Sequence, residues 1–178
     1  RCRSGMHLRC RTDLWWHGVC RRDRSCSALS RRSNSSDLRG TNGIQAADLV
    51  GRKLGMRSGG VVTDELQRFA SVLDDVAKVD GMAVAAENLR AAIETCRETT
   101  AHLVEVASND PASLLASSTP YLRMLGTTVC AGLLAGSVLA LDPSNEFEAT
   151  KIASARFFCE QLLPAAQGWA SAVKMTSE

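Results

Sequence analysis

The side chains able to do chemistry in this sequence are few and scattered. His7, His17, Cys20 and Cys26 crowd one short stretch, but their spacing matches no CxxC or HxxxH ligand pair, so no metal site is expected. His102 lies among Ala101, Leu103 and Val104 with no nucleophile beside it, and reads as a packed or surface histidine. Asp74-Asp75 and Glu146/Glu148 read as solvated helix faces and as acids drawn to a helix N-terminus. Arg52-Lys53 could hold a phosphate, yet without a Gly-rich loop they read better as cations closing a short helix. Cys96, Cys130 and Cys159 stand singly on apolar stretches, as small hydrophobes do in a reducing compartment, which points to the cytoplasm.

One run is more specific. Gly40-Thr41-Asn42-Gly43-Ile44-Gln45-Ala46-Ala47-Asp48-Leu49-Val50-Gly51-Arg52-Lys53-Leu54 resembles the stretch that follows the catalytic glutamate of acyl-CoA dehydrogenases, read there as Y-E-G-T-N-G-I-Q. Ala155-Arg156-Phe157-Phe158 with Leu162-Leu163-Pro164 is similar to the extra C-terminal helical module of some bacterial members. The resemblance spans residues 40–178. It implies FAD-dependent α,β-dehydrogenation of an acyl-CoA, in which the glutamate removes a proton while a hydride leaves the adjacent carbon. By the same matching Gly40 would lie at the acyl thioester, and Thr41, Asn42 and Gly43 would contribute to binding FAD. Arg39 occupies the position of the glutamate base, and a guanidinium accepts no proton at neutral pH. The resemblance therefore implies no catalytic residue in this chain, which reads as a fragment of the family, with FAD and acyl-CoA belonging to the intact enzyme and no flavin expected on this chain alone.

The residues before that run differ in kind. Residues 1–40 hold ten Arg, no Lys and three Asp, a charge of +7 inside a chain whose net charge is +2, so the rest sums to −5. Four of the seven Cys lie there: Cys2, Cys10, Cys20 and Cys26. The Arg- and Ser-rich, acid-poor composition resembles a transit peptide, but Trp15-Trp16-His17 and the cysteines fit that poorly, and no apolar h-region for secretion is present. A basic arm for nucleic acid is the rival reading, opposed by the absence of Lys and of a folded reader.

A displaced reading frame accounts for these residues better. Tryptophan has a single codon, so Trp15-Trp16-His17 is TGG TGG CAY, which one base later reads Gly-Gly followed by Met or Thr. Asp37-Leu38-Arg39-Gly40, written GAT CTA CGA GGG, becomes I-Y-E-G and restores the family's glutamate. Residues 1–39 are then expected to form a disordered arm, since they lack the periodic apolar pattern a core requires.

The elements that would position these groups are helical. Aromatic residues make up 4% and apolar residues 45% of the chain, so the core must be built from Ala, Leu, Val and Met. Ile44, Ala47, Leu49-Val50 and Leu54 predict a short helix ended by Gly55 and Gly59-Gly60. Asp64 with Gln67 predicts an N-cap for a helix carrying Leu66, Phe69, Leu73 and Val76, stopped at Gly81. Met82, Leu89, Cys96 and Leu103, flanked by Ala86, Ile93, Thr100 and Ala107, mark the inner stripe of a long helix whose other side is charged. Asp110-Pro111 and Thr119-Pro120 predict two further helix starts.

Met124 to Leu141 carry no charge over eighteen residues. Three Gly, two Thr and a Ser, with no interfacial Trp pair, argue for a buried central helix over a membrane span, with Gly132 and Gly136 allowing close packing. A last helix from Asn145 is expected to turn Phe147, Ile152, Ala155, Phe158-Cys159, Leu162 and Ala166 inward and to kink at Pro164. No strand-like alternation follows Gly40, so the fold expected is all-α, an antiparallel bundle of four or five helices. Residues 40–56 would end the dehydrogenase's helical domain and 60–178 would form the extra bundle domain. A module shaped to pack on a larger protein would leave an apolar face uncovered, so self-association is expected. A stand-alone helical interaction module with a basic arm is the alternative.

Overall fold

The computed structural model describes residues 41–175. The arm, its four cysteines, Arg39 and Gly40 lie outside the described residues, as does the disorder expected of the arm. Among the described residues every regular element is helical. They are α1 (Thr41–Asp48), α2 (Gly60–Ala70), α3 (Leu73–Val76), α4 (Ala83–Asn109), α5 (Pro111–Ala116), α6 (Ser118–Val138), α7 (Glu146–Phe157) and α8 (Ala165–Met175). α1 runs on through a π-type turn, Leu49–Lys53, and α7 through another, Phe158–Leu162.

α4 is the axis of the bundle. Its stripe Met82, Ala86, Leu89, Ile93, Cys96, Thr100 and Leu103 is buried as the seven-residue spacing predicts, whereas Ala107 is exposed because the helix has by then run past its neighbours. α6 packs antiparallel to it, Cys96 meeting Thr128 and Thr100 meeting Tyr121. α2 is also antiparallel to α4: Gln67 accepts from Arg97, and further along Asp74 accepts from Arg90. α8 runs alongside α4 in the same direction, with Lys174 3.5 Å from Glu98, and opposite to α6, where the Ser117 hydroxyl donates to the Val173 carbonyl.

The close approach of α2 to α6 depends on one glycine. A Cβ on Gly132 would sit 2.5–2.7 Å from three carbons of the Phe69 ring, so the ring lies on bare backbone. Gly136 has no such neighbour within 4 Å, and only the first member of the expected glycine pair serves packing here.

Two helix starts differ from expectation. α2 begins at Gly60, four residues before Asp64, because Arg57, Ser58 and Gly59 all adopt positive φ (54°, 52° and 80°) and reverse the chain ahead of it. Asp64 is then a helical residue whose carboxylate accepts from Arg57 at 2.8 Å. α6 begins at Ser118, and Thr119 is inside the helix. Ser117, shared as the last cap of α5 and the first of α6, leaves no room for a separate loop. Asp110 and Asn145 do cap their helices, each accepting from two backbone N–H groups.

Before Pro164 the chain widens into a π-type turn. Proline offers no N–H and its ring crowds the carbonyl four residues earlier, and the Leu163 N–H reaches back five residues to Phe158 at 3.0 Å. The extra residue turns Leu163 into the core in place of Leu162, which is 46% exposed. Phe147, also expected inside, is exposed near the start of α7.

Candidate functional site

The residues matched to cofactor binding open α1, where Thr41 is half-buried and Asn42 and Gly43 are exposed. A Cβ on Gly43 would meet no atom within 4 Å, so nothing in the described fold requires glycine there. Gly40 and Arg39 lie outside the described residues. One turn further on, Asp48 binds Arg52 through two hydrogen bonds of 2.7 and 2.9 Å and pairs with Lys53 at 3.2 Å. These partners, Arg52 foremost, hold the Asp48 carboxyl down at about 2. The two cations weighed above for phosphate binding are thus engaged by a neighbouring carboxylate.

A base poised to remove a carbon-bound proton near neutral pH needs a carboxyl shifted upward, usually by burial. No Asp or Glu is buried among the described residues. Hydrogen bonding moves Glu65, Asp110 and Asp142 downward, through Arg68, the Ser113 hydroxyl and the Ser144 backbone N–H respectively. His102 is half-buried on α4. Among the described residues no three His, Cys, Asp or Glu converge on a common point.

A groove with a volume of about 420 Å³ lies where α2 and α3 meet α4. Its apolar floor includes Leu73 and Ile93, and its rim carries Glu87, Arg90, Glu94 and Arg97. The rim charges are matched: Arg90 donates to Asp74 at 2.8 Å and lies 3.7 Å from Glu87, while Arg97 donates to Gln67 and lies 3.7 Å from Glu94. Such a rim offers no surplus charge for a phosphate or carboxylate.

The sequence reading missed a buried polar seam between α4 and α6. The Thr100 and Tyr121 hydroxyls are 2.9 Å apart, and the Cys96 thiol donates to Thr128 at 3.4 Å. Burial pushes Tyr121 up to about 12 and Cys96 up to about 11, and Cys159 also reaches about 11. These thiols are protonated at neutral pH and shielded, which suits packing and not nucleophilic attack. A lone Tyr just after a helix-starting proline was the available signal.

Fold and site together define the class: an all-α domain organised on α4, α6 and α8. The family model described as "Acetyl-CoA dehydrogenase C-terminal like" matches residues 62–178, and the chain belongs to that family, a C-terminal region of the acyl-CoA dehydrogenases. It is similar to "3-methylmercaptopropionyl-CoA dehydrogenase" of Ruegeria pomeroyi (strain ATCC 700808 / DSM 15171 / DSS-3), 33% identical over 138 residues, covering 70% of this chain. The same match covers 22% of that relative, so this chain spans about a fifth of its length. No solved structure matches.

Proposed function

We propose that this chain is the C-terminal end of an FAD-dependent acyl-CoA dehydrogenase and that it does not oxidise acyl-CoA by itself. The family match over residues 62–178 carries the reading. It is supported by the lack of a buried carboxylate among the described residues and by Arg39 standing where the resemblance calls for glutamate. In the intact enzyme, FAD would take the hydride.

The described residues do not fit FAD unaided. Gly43 offers open backbone at the start of α1, but the groove between α2, α3 and α4 is rimmed by matched charges. No catalytic step is therefore routed through this chain, and Gly40, Thr41, Asn42 and Gly43 are assigned only the edge of a site completed elsewhere. Residues 40–56 are read as the end of the dehydrogenase's helical domain and 60–178 as the added module. Residues 1–39 are read as out of frame, and the nucleotide sequence upstream of Gly40 tests this: no family-like reading frame there would remove the idea.

The test of the function is a purified 178-residue chain. It should be colourless, without the flavin band at roughly 450 nm, and should reduce no electron acceptor when given acyl-CoA thioesters. Stoichiometric bound flavin or measurable turnover would overturn the reading. A stand-alone helical interaction module is the second reading, favoured by the closed core that Val50 and Leu54 share with Leu103 and Val173.

A further inference from the structure

α6 carries two seams at alternating three- and four-residue spacing. One, including Tyr121, Met124, Thr128, Ala131, Ala135 and Val138, is buried against the bundle. The opposite one runs Arg123, Gly126, Cys130, Leu133, Ser137 and on to Ala140 in the turn beyond the helix; Gly126 is half-buried and the others are exposed. Between Arg123 and Asp142 there is no charged residue, and only 39% of the helix's most apolar window is buried. Leu133, at the middle of the outer seam, is 54% exposed. Gly126 and Gly136 have no atom within 4 Å of a would-be Cβ, so both leave open hollows in the surface near it.

We propose that this outer face of α6 docks antiparallel on the α6 of a second copy of the chain. The ends of the seam identify the occupant. Under a two-fold axis the seam positions match as 123 with 140, 126 with 137 and 130 with 133, which seats Leu133 of one copy over Cys130 of the other. The same operation carries Arg123 at the start of one helix toward Asp142 just past the end of the other, and does so twice. Within one copy neither residue forms an ion pair among the described residues, Asp142 accepting only from the Ser144 N–H and hydroxyl at 2.9 and 2.8 Å. A parallel arrangement would set Arg123 beside its own copy, and would stack the helix dipoles head to head rather than head to tail.

Area sets the strength. A helix of 21 residues is about 31 Å long and presents a face roughly 10 Å wide, so a pair buries on the order of 600 Å². A stable dimer usually needs at least about 1,200 Å². The free domain therefore pairs transiently at high concentration, and the pairing gains strength wherever something else holds two copies close together.

The experiment uses the 178-residue chain with Cys2, Cys10, Cys20 and Cys26 replaced by Ser, which leaves Cys130 as the exposed thiol beside the buried Cys96 and Cys159. At high protein concentration a short bis-maleimide should link Cys130 to Cys130, seen as a self-linked peptide by mass spectrometry. Leu133→Glu, a change at an exposed site, should abolish the link while leaving the far-ultraviolet circular dichroism unchanged. Sedimentation should show Arg123→Glu and Asp142→Lys each weakening association by roughly tenfold, and a mixture of the two variants recovering it, since only the mixed pair places opposite charges at both ends.

A monomer at every concentration, a link that survives Leu133→Glu, or two folded variants that fail to recover on mixing would overturn the proposal. So would a Cys130 thiol shielded only when the rest of a dehydrogenase is attached, which would make that body the occupant. If Asp142→Lys loses its fold with the Ser144 turn, the self-linked peptide and its loss in Leu133→Glu decide the matter.

Discussion

α4 and α6 lie against each other along the middle of the bundle and bury similar stripes, yet their outer faces are opposites. α4 turns Glu87, Arg90, Glu94 and Glu98 outward, with Arg97 half-buried among them, and threads them into pairs with one another and with Asp74, Gln67 and Lys174. α6 turns Gly126, Cys130, Leu133 and Ser137 outward. Burial of the inner stripe is what folds both helices, since apolar area removed from water is the dominant favourable contribution. The outer faces are free to differ: α4 presents paired charges to water, and α6 presents an uncharged face centred on Leu133.

The inner faces should behave alike when broken. Leu103→Ala on α4 and Met124→Ala on α6 each remove a fully buried side chain, and each should cost about 2–5 kcal/mol in denaturant unfolding. A several-fold difference between them would show that the two stripes are unequal partners. Gly132→Ala should cost about 1–3 kcal/mol, because the new methyl strikes the Phe69 ring and α2 must shift. No change in stability there would mean the ring swings aside freely.

Tyr121→Phe tests the coupling between the two helices. Losing the hydroxyl that meets Thr100 should cost about 1 kcal/mol at neutral pH. The alkaline limb should change as well. Burial raises the Tyr121 phenol from 10.0 to about 12 in the fold, so the neutral form is favoured by the native state. Its contribution is whole below pH 10 and is lost as pH climbs toward 12; the Phe variant should unfold less steeply across that range. The smallest effect is expected outside: Glu94→Gln on α4 and Leu133→Ala on α6 should each stay within about 0.5 kcal/mol in monomer stability.

Much of the inner architecture was legible in the sequence because burial repeats with the helix. Met82 through Leu103 kept a seven-residue spacing, and the core stripe of α4 follows it. The starts of α2 and α6 were not legible, since capping side chains are local signals and the backbone overrode them. Asp64 looked like a cap, but three left-handed residues upstream had already turned the chain. Thr119 looked like one too, but α5 ends so close to α6 that no free cap position remains at 119. The Thr100–Tyr121 contact joins side chains from two helices, and no periodicity within either segment encodes it. For the candidate site, Thr41 to Gly43 drew attention only through the resemblance, because small uncharged residues acquire chemistry from what is placed against them.

The widened turn at Phe158–Leu162 holds one residue more than an ordinary helical turn, where the sequence reads as a single helix kinked at Pro164. In an unbroken α-helix a single surplus residue would rotate everything after it by about a quarter-turn or slightly more, and the widened turn absorbs that rotation. Deleting Gln161 would therefore let the turn close into ordinary helix with Leu163, Ala166 and Val173 kept on their berths and Ser117 still facing the Val173 carbonyl, whereas one more residue inserted there would swing all of them away.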